Sequence, residues 1–99
     1  MNERVIWKYT LNTSLTPKMV RVPVGSTLLS VQLQNGQIVA WFNVTEMSGP
    51  NDNPPGWEDW YYQFVQTGGI VPDDPKMEYT STHFFSGGSY ALHLYVRKP

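Results

Sequence analysis

An Asn35-Gly36 pair stands between two runs that alternate apolar and polar residues. Asn-Gly is the strongest short-range hairpin signal, because both central residues of the tight turn must take positive φ. With that pair as the loop, Gln34 faces Gln37, Leu33 faces Ile38, Val31 faces Ala40 and Leu29 faces Phe42. The apolar members then share one face with Val44, and a slip of one residue would scatter them.

The same period of two runs along the rest of the chain. Val5, Trp7 and Tyr9 alternate with Arg4, Lys8 and Thr10, with Ile6 as the exception. Val20, Val22 and Val24 alternate with Met19, Arg21 and Pro23. Pro23 marks a sheet edge or a strand end, since it has no N–H for the ladder. Trp60–Gln66 is an aromatic strand, and Met77–Thr82 sets Met77, Tyr79 and Ser81 against Glu78, Thr80 and Thr82. The last run, Ser89–Arg97, places Tyr90, Leu92, Leu94 and Val96 inward and Ala91, His93, Tyr95 and Arg97 outward. A loop over Glu46–Asp59 holds Gly49-Pro50 and Asn53-Pro54-Pro55-Gly56, which forbid a regular element there. About seven strands and no helix predict an all-β chain, a small antiparallel β-sandwich or barrel. Its 99 residues fit a single domain, 1–99.

Composition removes several function classes. With no cysteine there is no disulfide, thiolate metal site or cysteine nucleophile. No apolar run reaches membrane-spanning length. The first ten residues lack a signal-peptide stretch, so the expected location is cytoplasmic. A net charge of −1 argues against direct DNA binding. Charge is unevenly spread: residues 46–78 carry seven carboxylates against Lys76 alone, while the flanks carry six cations against Glu3. Lys8, Arg21 and Arg97 would hold a phosphate if the fold brought them together.

Catalysis has little to work with. His83 and His93 are the two histidines, ten residues apart on different elements, and no Gly-x-Ser-x-Gly nucleophile elbow occurs. The carboxylates follow no calcium-loop spacing, and the Gly68-Gly69 and Gly87-Gly88 pairs lack the Lys and helix of a phosphate loop. The expectation is a protein that is not an enzyme and uses no cofactor or metal.

Binding is better supported. The second hairpin face collects Ser30, Gln32, Gln34, Gln37 and Asn43, with Leu28, Val39 and Trp41 among them, and no charge. Amides donate and accept, so they satisfy a polar partner without burying a charge. The pattern predicts a face covered by a sheet, a subunit or a ligand. Trp57 and Trp60 close the long loop, either as a lid or as an anchor into the core. Trp7, Tyr9, Trp41, Trp57, Trp60, Tyr61, Tyr62 and Tyr95 exceed what one side of so small a core buries. The candidate ligand-binding residues are Trp41, Gln32, Gln34, Asn43, Trp57, Trp60, Lys8, Arg97 and His93.

Ile6-Trp7-Lys8-Tyr9, Leu29–Gly36, Trp41, Phe64 with Thr67-Gly68, Tyr79 with Thr82, and Gly87-Gly88 with Leu92-His93-Leu94 occur in that order. In this the chain resembles a small domain family of unknown function found chiefly in bacteriophage and bacterial genomes. It departs from the family where Ser81, rather than a Gly, stands before Thr82. The resemblance implies a small, mostly β accessory protein of phage type, with no reaction, cofactor or catalytic residue. Together with the aromatic and amide surface, it leads to the expectation of a counter-defence protein that sequesters a nucleotide-derived immune signal. The alternative is a protein-binding inhibitor of a host protein, or a minor phage structural protein. Exposed strand edges lead to the expectation of a homo-oligomer under either reading.

Overall fold

The computed structural model describes residues 2–47 and 56–99. Among them are seven strands: β1 Asn2–Thr10, β2 Lys18–Pro23, β3 Thr27–Gln34, β4 Gln37–Met47, β5 Trp57–Gln66, β6 Glu78–Phe85 and β7 Tyr90–Arg97. A single 3-10 turn, Ser86–Gly88, links β6 to β7. The strands join as two sheets, β1-β4-β3 and β2-β5-β7-β6. Of the two architectures expected, sandwich or barrel, this is the two-sheet one. Contacts group the chain into two units, Met1–Leu11 with Arg21–Asp59, and Asn12–Val20 with Trp60–Pro99.

In the first unit the Asn35-Gly36 turn forms as its sequence requires, with φ of 51° and 78°. Gln34–Gln37, Leu33–Ile38 and Val31–Ala40 pair as expected. The register then shifts at a bulge between Leu28 and Ser30, so Leu28 rather than Leu29 faces Phe42. Leu29 is left 48% exposed. A bulge places two residues opposite one, which reverses the sidedness of everything beyond it. Ile38, Ala40, Phe42 and Val44 of β4 are buried with Val31. Tyr9 meets the Phe42 ring edge-on at 5.5 Å. Leu33, at the hairpin tip, is more exposed than its place on the apolar face predicts.

Two boundaries also move. β2 is an edge strand and ends at Pro23, the two placements open to a proline. Pro23 is buried and its carbonyl accepts from Ser26 Oγ, whereas Val24, expected on the apolar side, is exposed. β4 runs on to Met47 and β5 begins at Trp57, so both strands enter the span read as a loop. Residues 48–55 of that span lie outside the described residues.

In the second unit, Phe64 and Leu94 pair across β5 and β7 and are both fully buried. Trp60, Tyr62 and Leu92 are buried on the same side of their strands. Tyr62 keeps its hydroxyl satisfied, since the Asn12 backbone N–H donates to it at 3.0 Å. Burial on this scale contributes about 1.5–3 kcal/mol for each large apolar side chain. His83 is buried with its Nε2 2.8 Å from Ser81 Oγ, and loss of water holds its pKa below the usual 6.5. Tyr90, expected inward, is exposed and stacks on Phe85 with ring centroids 5.3 Å apart. A second bulge, between Tyr79 and Ser81, breaks the alternation of β6.

Candidate functional site

The outward face of β5-β7-β6 carries a connected set of polar and aromatic groups. Its rows follow from the register: Tyr61 beside Arg97, Gln63 beside Tyr95 and Val65 beside His93 on one flank of β7. On the other flank Tyr79 lies beside Tyr95, Thr82 beside His93 and Phe84 beside Ala91. The β6 bulge makes this possible. Without it, Tyr79 and Thr82 would project to opposite sides, as simple alternation predicts.

His93 is held at both ring nitrogens. Thr82 Oγ1 lies 2.9 Å from Nδ1, and Thr67 Oγ1 lies 2.8 Å from Nε2. Tyr79 Oη lies 2.6 Å from Thr82 Oγ1, which extends the line to four residues. The Tyr79 ring also packs edge-on against Tyr95 at 6.0 Å. At the far end of β7, Arg97 donates through Nη1 to Asp74 Oδ2 at 2.8 Å. Its guanidinium also lies over the Tyr61 ring, 4.4 Å from the centroid. Two aromatic rings remain open to solvent, Tyr79 at 57% exposure and Phe84 at 62%.

Beside the His93 line is an open hollow of about 520 Å³, with Thr67, Phe84 and Ala91 among its lining residues. Gln66, Ser89 and Tyr90 complete its side-chain wall. Ligand sites commonly enclose roughly 300–1,000 Å³ and use a few fixed polar groups on an apolar wall.

The nine candidate residues divide among separate places. Lys8, Gln32, Gln34, Trp41 and Asn43 share the outward face of β1-β4-β3, as the register of β1 and β3 against β4 requires. There Lys8 Nζ donates to Gln34 Oε1 at 3.4 Å. Gln32, Gln34 and Gln37 are exposed within the chain, so the cover expected over these amides does not come from their own unit. Asn43 Oδ1 is buried and has no hydrogen-bond partner among the described residues. His93 and Arg97 lie together on the outward face of β7 described above. Trp60 is 4% exposed, which fits an anchor, whereas Trp57 at the start of β5 is exposed.

The cations engage separate partners. Arg21 binds Asp59 at 2.9 Å, Arg97 binds Asp74 and Lys8 reaches Gln34. The Arg21 guanidinium bonded to Asp59 holds that carboxyl below its usual value of 3.8. A phosphate cradle built from Lys8, Arg21 and Arg97 would have to displace these contacts.

Thr67, Tyr79, Thr82, Phe84, Tyr61 and Asp74 were not among the candidates. The signal for Thr82 is present in the sequence. Ser86-Gly87-Gly88 marks a tight connection, and closing it pairs Phe85 with Tyr90, Phe84 with Ala91 and Thr82 with His93. The Thr67 and Asp74 contacts arise from loops, whose course no periodicity reports.

No curated protein and no solved structure shows significant similarity to this chain. Residues 2–99 match the model of a family described as Domain of unknown function (DUF7352). The match covers nearly the whole chain, so the chain belongs to the DUF7352 family.

Proposed function

We propose that this chain is a non-enzymatic binding domain of phage type that captures a small nucleotide-derived ligand on the outward face of β5-β7-β6. One observation carries the reading: exposed Tyr79 and Phe84 rings flank a histidine fixed at both nitrogens, beside an open hollow. Rings open to solvent cost apolar exposure that a small domain has little cause to keep, and each stacks on a planar base for roughly 1–3 kcal/mol. The Thr67 hydroxyl, held by the His93 imidazole, supplies direction without reorganisation on binding. Sequestration of an immune signal in the host cytoplasm is the role this capture would serve. Equilibrium binding of a panel of mono-, di- and cyclic nucleotides tests it. Binding by the wild-type protein, weakened at least tenfold in Phe84→Ala, is expected. No nucleotide binding at millimolar concentration refutes the reading.

A second reading rests on the other sheet. The outward face of β1-β4-β3 sets exposed Ile6, at 64%, among Arg4, Lys8, Trp41 and three exposed glutamines. A face of this make-up suits protein docking, with a host protein or a second copy as occupant. Light scattering of the wild-type and Ile6→Glu proteins separates these cases. A wild-type dimer that becomes a monomer in the variant identifies the second copy.

A further inference from the structure

The hollow and the His93 line have a joint consequence for what kind of ligand group fits. None of the described residues that line the hollow is charged. A phosphate placed there would lose water without gaining a cation, which is unfavourable. The exposed Phe84 ring offers a stacking surface, and Thr67, Ser89 and Gln66 offer neutral polar groups. We infer that the hollow binds the uncharged ring portion of a ligand, stacked on Phe84, with the Thr67 hydroxyl as its donor. This rests on the nucleotide-capture reading and narrows it, because recognition then ignores the phosphate.

Hydrogen counting shows how Thr67 becomes that donor. The line Tyr79–Thr82–His93–Thr67 has three contacts. A neutral imidazole carries one N–H, and each hydroxyl carries one hydrogen. When Nε2 bears the proton, it donates to Thr67, Thr82 donates to Nδ1 and Tyr79 donates to Thr82. The Thr67 hydrogen is then free to enter the hollow. When Nδ1 bears the proton, Thr67 must donate to Nε2 and offers only lone pairs. A ligand with a carbonyl, ring nitrogen or hydroxyl acceptor in the hollow therefore selects the Nε2–H tautomer. No charge change is required.

A nucleoside base and a saccharide share this chemistry of an uncharged ring with acceptors. The test is NMR of protein labelled with 15N in its histidine rings, titrated with adenosine, adenosine 5′-monophosphate and glucose. The expected result is that adenosine and its monophosphate both move His93 toward Nε2–H, with dissociation constants within about twofold, while His83 is unmoved. Thr67→Val removes the His93 response and weakens binding roughly tenfold, the worth of one hydrogen bond. Thr67→Ser, which keeps the hydroxyl, retains both. A response to glucose in place of adenosine supports the hollow as a ring site and refutes nucleotide capture. Binding of the monophosphate but not adenosine overturns the inference and leaves nucleotide capture standing. Binding that leaves His93 unmoved, or that Thr67→Val does not weaken, also overturns it. No response to any of the three overturns both.

Discussion

The Arg97 guanidinium lies 4.4 Å from the centre of the Tyr61 ring, and the two residues are direct register partners across β7 and β5. Asp74 accepts from the same guanidinium at 2.8 Å, so one side chain ties the loop before β6 to the face of the sheet. A planar cation suits both contacts at once, which an ammonium does not. Arg97→Lys is expected to keep the charge and lose the stacking, at a cost of about 0.5–1 kcal/mol in urea unfolding. Equal stability of the two proteins would contradict the stacked geometry.

The bulge in β3 separates two neighbouring leucines. Leu28 faces Phe42 and Leu29 projects outward. Leu28→Ala is expected to cost about 1–2 kcal/mol, a partial-burial share of the transfer free energy. Leu29→Ala should stay within about 0.5 kcal/mol of wild type, as an exposed substitution does. The reverse order of effects would restore the unbulged register.

His83 sets an acid-side dependence of stability. Burial lowers its pKa below 6.5, so between the folded and unfolded values the unfolded chain binds more protons. Stability is therefore unaffected by this group above about pH 6.5 and falls as the pH drops through the lower folded value. Unfolding midpoints measured from pH 8 to pH 4.5 should decline in the wild type. The decline should be shallower in His83→Gln. The Asp59 carboxyl acts in a separate window, because its lowered pKa releases stability only as the pH falls below about 3.8.

The hairpin turn gives a backbone prediction. Gly36 has a φ of 78°, where a side chain would crowd the following carbonyl. A Cβ at Gly36 would meet nothing within 4 Å, so the cost is conformational alone. Gly36→Ala should destabilise the chain by about 1–2 kcal/mol. No measurable change would mean that the turn relaxes out of the left-handed region.

How much could be read in advance depended on whether the period of two was intact. Asn35-Gly36 fixed its neighbours as far as Val31 and Ala40, because turn type and apolar sidedness agree there. Beyond Ser30 the reading failed at Leu29, since a bulge adds a residue without any composition mark. The same failure recurred at Thr80, where it hid the Tyr79–Thr82–His93 alignment. His93 and Arg97 were legible as outward residues of one strand. Their partners Thr67 and Asp74 were not, because loops place them. Trp60 and Trp57 looked alike in sequence, yet three residues of strand put one in the core and the other in solvent.

The most direct test of ligand capture is native mass spectrometry of the purified protein after incubation with a nucleotide panel. Denaturation and mass analysis of whatever is released then identify it. The expected result is a retained complex in the wild type whose released mass is a nucleotide, with retention lost in Phe84→Ala and unchanged in Trp41→Ala. A wild-type protein that retains none of the panel, or retention abolished by Trp41→Ala and untouched by Phe84→Ala, would contradict binding on the β5-β7-β6 face.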